Sequence, residues 1–246
     1  MPLFINPILL PLLQCPHNIR RLKFASELLL RHHLIEKPGW IVRTSFFLED
    51  AHCKTDNAVV VGVDEVGYGA LAGPVFAAAV YIPHATRELM TDIKDSKALS
   101  IKKREELFDL LAEYSVFNIG HASVSEIEQH NILVASHMAM KRALAGLTLP
   151  HVDLVLIDGI RNVDLSWPSQ TITKGDSLCT SIAAASIIAK VSRDRLMKEL
   201  HQHHPEYAWN KNHGYGTKAH IDATILHGIT PHHRRTFAPV QKLVTS

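Results

Sequence analysis

The chain predicts an α/β fold, a sheet flanked by helices with a small helical C-terminal lobe, and three features of its 246 residues carry that reading. Residues 57–63 and 75–82 are short runs rich in β-formers, the second closed by Pro83, as expected of strands between turns. The segment His151-Val152-Asp153-Leu154-Val155-Leu156-Ile157 ends in unbroken apolar residues, the pattern of a strand buried on both faces. Residues 180–201 form the longest helical stretch and open with Ala183-Ala184-Ala185-Ser186, small enough to lie close on a sheet.

Taken in order, the first 56 residues stand apart, and within them 19–34 reads as an amphipathic basic helix with Arg20, Arg21, Lys23 and Arg31 among leucines. A grip on nucleic acid, a partner-binding segment, an appendage without a role and upstream sequence from a mistaken start are all open readings of it. The two strands at 57–63 and 75–82 come next, then a helix capped near Ser100 and a third strand at 116–122. Ser125-x-x-Glu128 has capping-box spacing, and Asn131 caps a helix whose His137, Met138, Met140 and Leu144 recur at core spacing. The strand at 152–157 follows, then a short strand about Thr171-Ile172-Thr173 and the long helix. Pro205 ends that helical region, and 219–227 begins the C-terminal lobe, stopped by Gly228 and Pro231. The division expected is an extension at 1–56, a catalytic domain at 57–204 and the lobe at 205–246.

Composition bounds the function only loosely. A hydrophobic content of 46% supports one good core, and a net charge of +2 with a pI near 8.4 leans mildly toward polyanions. Lys190, Arg193, Arg195, Lys198, Lys211, Lys218, Arg234 and Arg235 are candidates to line a groove, or in part ordinary helix surface. Of the 17 histidines, His201, His203 and His204 cluster, but no thiolate stands at zinc-site spacing, so they read as surface groups. Cys15, Cys53 and Cys179 are odd in number and widely spaced, which suggests reduced thiols in a cytoplasmic protein. No apolar run approaches the roughly 20 residues of a membrane span, and Phe4-Ile5-Asn6-Pro7-Ile8-Leu9-Leu10-Pro11-Leu12-Leu13 lacks the charged start of a signal peptide.

The most informative stretch is Val61-Gly62-Val63-Asp64-Glu65-Val66-Gly67-Tyr68-Gly69-Ala70-Leu71-Ala72-Gly73-Pro74-Val75. Gly67-x-Gly69-x-x-Ala72 matches a dinucleotide fingerprint. Against that match, the residues after it read as a second strand with no polar helical face, and two acids before the turn would oppose a bare pyrophosphate. Asp158 at the tip of a buried strand and Asp176 in Lys174-Gly175-Asp176 complete a set of four acids. Singly, Asp158 and Asp176 are ordinary turn or cap residues. Together with Asp64 and Glu65 they form a group whose mutual repulsion is roughly a few kcal/mol per pair, and divalent, oxygen-seeking cations relieve it. Two such ions about 4 Å apart are a known clamp for in-line displacement at phosphorus, with Mg2+ the best fit and Mn2+ able to serve.

Five motifs in order, Gly62-Val63-Asp64-Glu65-Val66-Gly67, Asp95-Ser96-Lys97, Ile157-Asp158-Gly159, Lys174-Gly175-Asp176 and Ala183-Ala184-Ala185-Ser186-Ile187-Ile188-Ala189-Lys190, resemble those of bacterial-type ribonuclease HII. The likeness continues through Arg193-Asp194-Arg195, His213-Gly214-Tyr215-Gly216-Thr217 and His232-His233-Arg234-Arg235-Thr236-Phe237, covering about 58–242. It implies a ribonuclease H-like mixed five-stranded sheet and hydrolysis of the RNA strand of RNA–DNA hybrids. It also implies incision 5′ to single ribonucleotides in duplex DNA, leaving a 3′-hydroxyl and a 5′-phosphate. The implied metal ligands are Asp64, Glu65, Asp158 and Asp176, holding two Mg2+ or Mn2+ ions with Asp64 as the bridge.

Recognition of the 2′-hydroxyl falls to Gly67, Tyr68 and Gly69, where a backbone without Cβ atoms can approach a sugar. Lys97 is expected on backbone phosphate and Tyr215 against the deoxyribose that follows the ribonucleotide, both on the strength of the resemblance. Two positions depart from the family. Tyr68 stands where the turn reads Gly-Arg-Gly, and His213 where relatives carry lysine, so two cations are lost. A hybrid-binding protein without catalysis is the alternative those losses suggest, and the intact set of acids favours the enzyme. A monomer without membrane contact is expected. Gln241-Lys242-Leu243-Val244 is a short candidate for a sliding-clamp peptide.

Overall fold

In the computed structural model, residues 44–52 and 58–244 are described. They lie within one compact unit, Val42–Ser246. The basic helix expected at 19–34, with Cys15 and Cys53, falls outside the described residues. Among the described residues no helix is long and apolar enough to cross a membrane.

Five strands, β1 (Val60–Val66), β2 (Val75–Tyr81), β3 (Val116–Ala122), β4 (Leu154–Asp158) and β5 (Ser169–Ile172), form one sheet in the order β3-β2-β1-β4-β5. The β1–β2 and β2–β3 pairs are antiparallel, whereas β1–β4 and β4–β5 are parallel. The sheet is therefore mixed, as expected. β1 runs on past the carboxylates that the sequence reading placed after its end, because pairing with β2 continues as far as Val66 opposite Phe76.

The described helices are α1 (Phe47–His52), α2 (Ile101–Tyr114), α3 (Val124–Ala145), α4 (Gly175–Leu178), α5 (Thr180–His203), α6 (Trp209–Asn212), α7 (Lys218–His227) and α8 (Ala238–Val244). Alternation along the strands splits the core in two. Val61, Val63, Val75, Ala77 and Ala79 face Ala135, Ala139 and Ala143 of α3. Ala78 and Val80 face Ala183, Ala184 and Ile187 of α5 on the other side. Glycine permits the close approach on the α5 side: a Cβ on Gly62 would stand 2.2 Å from the Ser181 carbonyl carbon.

Ser100 caps α2 as expected, its hydroxyl accepting from the Lys103 amide. The capping box lies two residues earlier than the sequence spacing suggested. Ser123 and Glu126 form it reciprocally, because the chain leaves β3 at Ala122 and Val124 is already helical. Glu128 instead accepts from the Arg235 amide at 2.7 Å. Asn131 does cap, with φ 69° interrupting α3 and its Oδ1 accepting from the Leu133 and Val134 amides.

Residues before 57 also contribute to the described core. α1 packs Leu48 against Val60, Leu156 and Ile182, and Ser45 bridges to Cys179. Cys179, the N-cap of α5, supplies no capping side chain. Glu49 replaces it, its Oε1 accepting from both the amide and the hydroxyl of Ser181 at 2.8 Å. Glu49→Ala removes both bonds at a buried helix start, and unfolding in urea is expected to show a loss of about 2–4 kcal/mol. A change below about 0.5 kcal/mol would show that α1 is dispensable to the fold.

Candidate active site

The strand register explains why the acids meet. Asp64 follows Gly62 on the α5 side of β1, and Asp158 follows Leu156 on the same side of β4, by the alternation of side chains along a strand. Parallel pairing sets Val63 opposite Ile157, which brings Asp64 and Asp158 to the same level. Asp158 then turns the chain segment that carries the fourth acid, its Oδ1 accepting from the Gly175 amide at 2.7 Å. Lys174, at φ 56°, makes the turn that starts α4 and buries Asp176.

The Asp95-Ser96-Lys97 segment meets this cluster from outside. The Ser96 hydroxyl lies 2.7 Å from that of Ser186, and Ser186 offsets part of the rise in the Asp64 pKa. Lys97 Nζ donates to Asp176 Oδ2 at 3.2 Å while its side chain stays 77% exposed. The lysine expected on substrate phosphate is thus held on a carboxylate here. Arg104 fixes the turn, donating to the Ser96 and Leu99 carbonyls.

Electrostatics join the four acids. Burial, then the charges of Glu65 and Asp158, push the Asp64 carboxyl well above its ordinary range. Burial and Asp158 push Glu65 up to about 7, and burial and Asp176 raise Asp158. Lys97 is raised because Asp176, Asp95 and Asp64 together outweigh the opposing effect of burial. Among the described residues no three His, Cys, Asp or Glu side chains are gathered into a ready-made metal cage. That spacing is consistent with mutually repelling carboxylates, one of them held by Lys97. As a donor set the four fit a hard cation: all are oxygen ligands, and Asp64 and Asp176 are only 6% exposed.

Beside the acids, the loop after β1 is held by two arginines that the sequence reading assigned to a groove. Both are fully buried. Arg193 donates to the carbonyls of Ala72, Pro74 and His213 at 2.8–3.0 Å, and Arg234 to those of Tyr68 and Gly73 at 3.0 and 2.9 Å. Lys190, another groove candidate, is paired with Asp194. Buried carbonyls need donors, and a planar fork reaches several at once. Gly67 is required by this packing: its φ is +88°, and a Cβ would stand 2.2 Å from Arg193 Nε. Gly69 differs, since a Cβ there would meet open space, leaving its backbone approachable from outside.

The Tyr215 loop is stitched to the glycine loop through the Gly214 carbonyl, which accepts from the Leu71 and Ala72 amides. The Tyr215 ring is 36% exposed and lies 5.6 Å from the Arg193 guanidinium. His213 turns inward, its Nδ1 3.3 Å from Asp194 without a hydrogen bond, and burial lowers its pKa.

Behind these loops the C-terminal histidines form a buried network. His220 Nδ1 meets the Tyr215 carbonyl at 3.0 Å, and its Nε2 accepts from Trp209 at 3.0 Å. His233 accepts the Thr230 amide at Nδ1 and lies 3.1 Å from His220 through Nε2. His204, read from the sequence as a surface group, packs its ring 5.5 Å from those of Trp209 and His232. Burial, then the neighbouring histidines, push His233 down to about 4 from its ordinary 6.5. The unfolded chain therefore binds the extra proton, so this contribution is complete above about pH 6.5 and is lost as pH falls toward 4, by roughly 3 kcal/mol. The acids act in the opposite sense, so the comparison to make is wild type against His233→Gln in denaturant at several pH values. Wild type should lose stability relative to the variant between pH 6.5 and 4; parallel curves would contradict the assignment.

The family model for ribonuclease HII matches residues 61–240. The chain belongs to the ribonuclease HII family. It is 59% identical over 202 residues to the ribonuclease HII of Anaplasma phagocytophilum (strain HZ), covering 82% of this chain and 96% of that one. It is 60% identical over 200 residues to that of Anaplasma marginale (strain St. Maries), covering 81% and 82%. The ribonuclease H2 from Pyrococcus horikoshii OT3 has a similar structure, with a TM-score of 0.65 at 26% identity over 75% of this chain and 96% of that one. Bst-RNase HIII in complex with Mn2+ shares the fold, with a TM-score of 0.64 at 18% identity over 76% and 70% of the two chains. The protein is accordingly a ribonuclease H enzyme, as the five motifs implied.

Sequence reading alone missed Ser186, Glu49 and Arg161. Ser186 did leave a signal, a hydroxyl within the buried apolar stretch of α5. Glu49 and Arg161 left none, because their partners are 132 and 93 residues away in sequence.

Proposed function

We propose that the chain hydrolyses the RNA strand of RNA–DNA hybrids and incises 5′ to single ribonucleotides in duplex DNA. The observation that carries this reading is the meeting of Asp64, Asp158 and Asp176, with Glu65 next in the chain, through the β1–β4 register and the Asp158–Gly175 bond, beside an approachable glycine turn. Asp64, Glu65, Asp158 and Asp176 would hold two Mg2+ or Mn2+ ions. When bound, such ions supply an activated water, steady the leaving 3′ oxygen and offset charge at phosphorus. The Gly175 amide orients Asp158, and Lys97, on Asp176 here, would be the cation within reach of a substrate phosphate. Gly69 and the Gly67 and Tyr68 backbone read the 2′-hydroxyl, and Tyr215 offers its exposed ring to the next sugar.

The enzyme acts in the cytoplasm as a monomer on this reading. The Archaeoglobus fulgidus RNase HII was solved as a complex with PCNA, and Gln241 to Val244 at the end of α8 is the segment of this chain to test for a clamp contact.

The deciding experiment uses end-labelled duplexes with one ribonucleotide, with a full RNA strand, or all DNA, with Mg2+ or with chelator. Cutting of the first two only with the metal, 5′ to the single ribonucleotide and with 3′-hydroxyl ends, is expected. Equal cutting of the all-DNA duplex, or no cutting of either ribonucleotide substrate, would overturn it.

A further inference from the structure

The glycine turn carries Tyr68 between Gly67 and Gly69 and no cation of its own, yet a guanidinium stands beside it. Arg161, three residues after Asp158, donates from Nη1 to the Tyr68 hydroxyl at 3.3 Å. Its side chain is exposed, and among the described residues it makes no ion pair, the four acids of the site included. The nearby charges reinforce it, since Lys141 and Arg161 both help to lower the pKa of the partly buried His137, after burial itself. Lys141 is spoken for only by a fully exposed Asp164 at 3.8 Å. Arg161 and Lys141 thus act on His137 in the same sense, as two positive charges.

The direction of the hydrogen bond matters. Arginine is donor only, so the Tyr68 oxygen accepts and its own O–H points elsewhere. A hydroxyl that accepts from a cation is a stronger donor to an anion. The Tyr68 backbone is also fixed, its carbonyl held by Arg234 at 3.0 Å. A fixed hydroxyl donor and an unpaired fork, side by side at the rim of a nucleic-acid site, are a pair suited to one phosphate.

The geometry points to Tyr68 and Arg161 as a composite phosphate clamp for the bound strand, in which Arg161, reaching from the loop after β4, supplies the cation that the turn itself lacks. This rests on the reading of the neighbouring acids as the site of cleavage. Neither residue touches the reacting atoms; both are positioning residues that act through substrate affinity.

The test measures binding of an RNA–DNA hybrid to full-length Asp64→Asn protein across a salt series, and separately kcat and KM in otherwise wild-type protein. Arg161→Gln is expected to raise Kd and KM about five- to twentyfold with kcat within about threefold. It should also reduce the slope of log K against log salt by about 0.7–0.9, the worth of one phosphate contact. Arg161→Lys should keep most of the slope. Tyr68→Phe should weaken binding in the Arg161 background but by less than about twofold after Arg161→Gln, and Tyr68→Arg should restore affinity to Arg161→Gln. An unchanged slope in Arg161→Gln would overturn the clamp, as would an equal loss in the Gln and Lys variants, which would mark a structural pin. If instead the wild type fails to cleave, the reading of the acids falls, while the salt slopes still decide on Arg161.

Discussion

Asp64→Asn is expected to lower kcat on a duplex with one ribonucleotide by at least about a thousandfold, in Mg2+ and in Mn2+ alike, with hybrid affinity changed by less than about fivefold. Asparagine keeps the shape but not the negative charge that the proposed cation site would need. The same substitution should stabilise the metal-free fold. Burial and the charges of Glu65 and Asp158 raise the Asp64 pKa, so its ionised form opposes folding, increasingly as pH rises through the raised value. Removing the charge should therefore raise the metal-free Tm at pH 8. Activity and stability moving in opposite directions is the mark of a site that retains repulsion for function. Cleavage equal to wild type would remove Asp64 from the chemistry.

Arg193→Met is the second large effect. The guanidinium uses Nε and both terminal nitrogens on three carbonyls from two loops, and a methionine of similar length leaves those carbonyls without donors. At about 1–3 kcal/mol for each buried unsatisfied group, the loss expected in urea denaturation is about 3–6 kcal/mol. Arg193→Lys should recover little of it, since a single ammonium cannot span three acceptors. Because the loops holding Gly67, Tyr68 and Tyr215 share this arginine, kcat/KM should fall as well at temperatures where the variant is still folded. A loss below about 1 kcal/mol would show that the loops hold together through backbone bonds alone.

The fold was legible where a pattern is local. β-former runs and helical spacing located all five strands, and Asp158 was placed at the tip of its strand, where β4 ends. Boundaries were set by pairing that single strands do not reveal, as where β2 carries β1 through Asp64 and Glu65. The capping box was misplaced because Ser-x-x-Glu occurs twice, at Ser123 and Ser125, and only the exit from β3 selects the first. Long-range satisfaction was not legible at all. Arg193 and Arg234 resemble groove cations in sequence, yet four of the five carbonyls they serve lie 119–166 residues away. Lys97 was recognisable as a site residue, but its hold on Asp176 depends on how the acids converge. Tyr68 looked like a simple loss of charge because nothing in the sequence ties it to Arg161.

The central claim is that Asp64, Glu65 and Asp158, whose carboxyls are raised above their ordinary range, give up protons to divalent cations. Calorimetric titration of Mn2+ into the wild-type protein at pH 7, repeated in buffers of different ionisation enthalpy, tests it most directly. With Glu65 near 7 and Asp64 and Asp158 raised above their ordinary range, metal uptake should release protons, and apparent affinity should rise with pH. Asp64→Asn should weaken uptake at least about tenfold. Mn2+ binding that is unchanged by Asp64→Asn, or that releases no protons, would contradict the account.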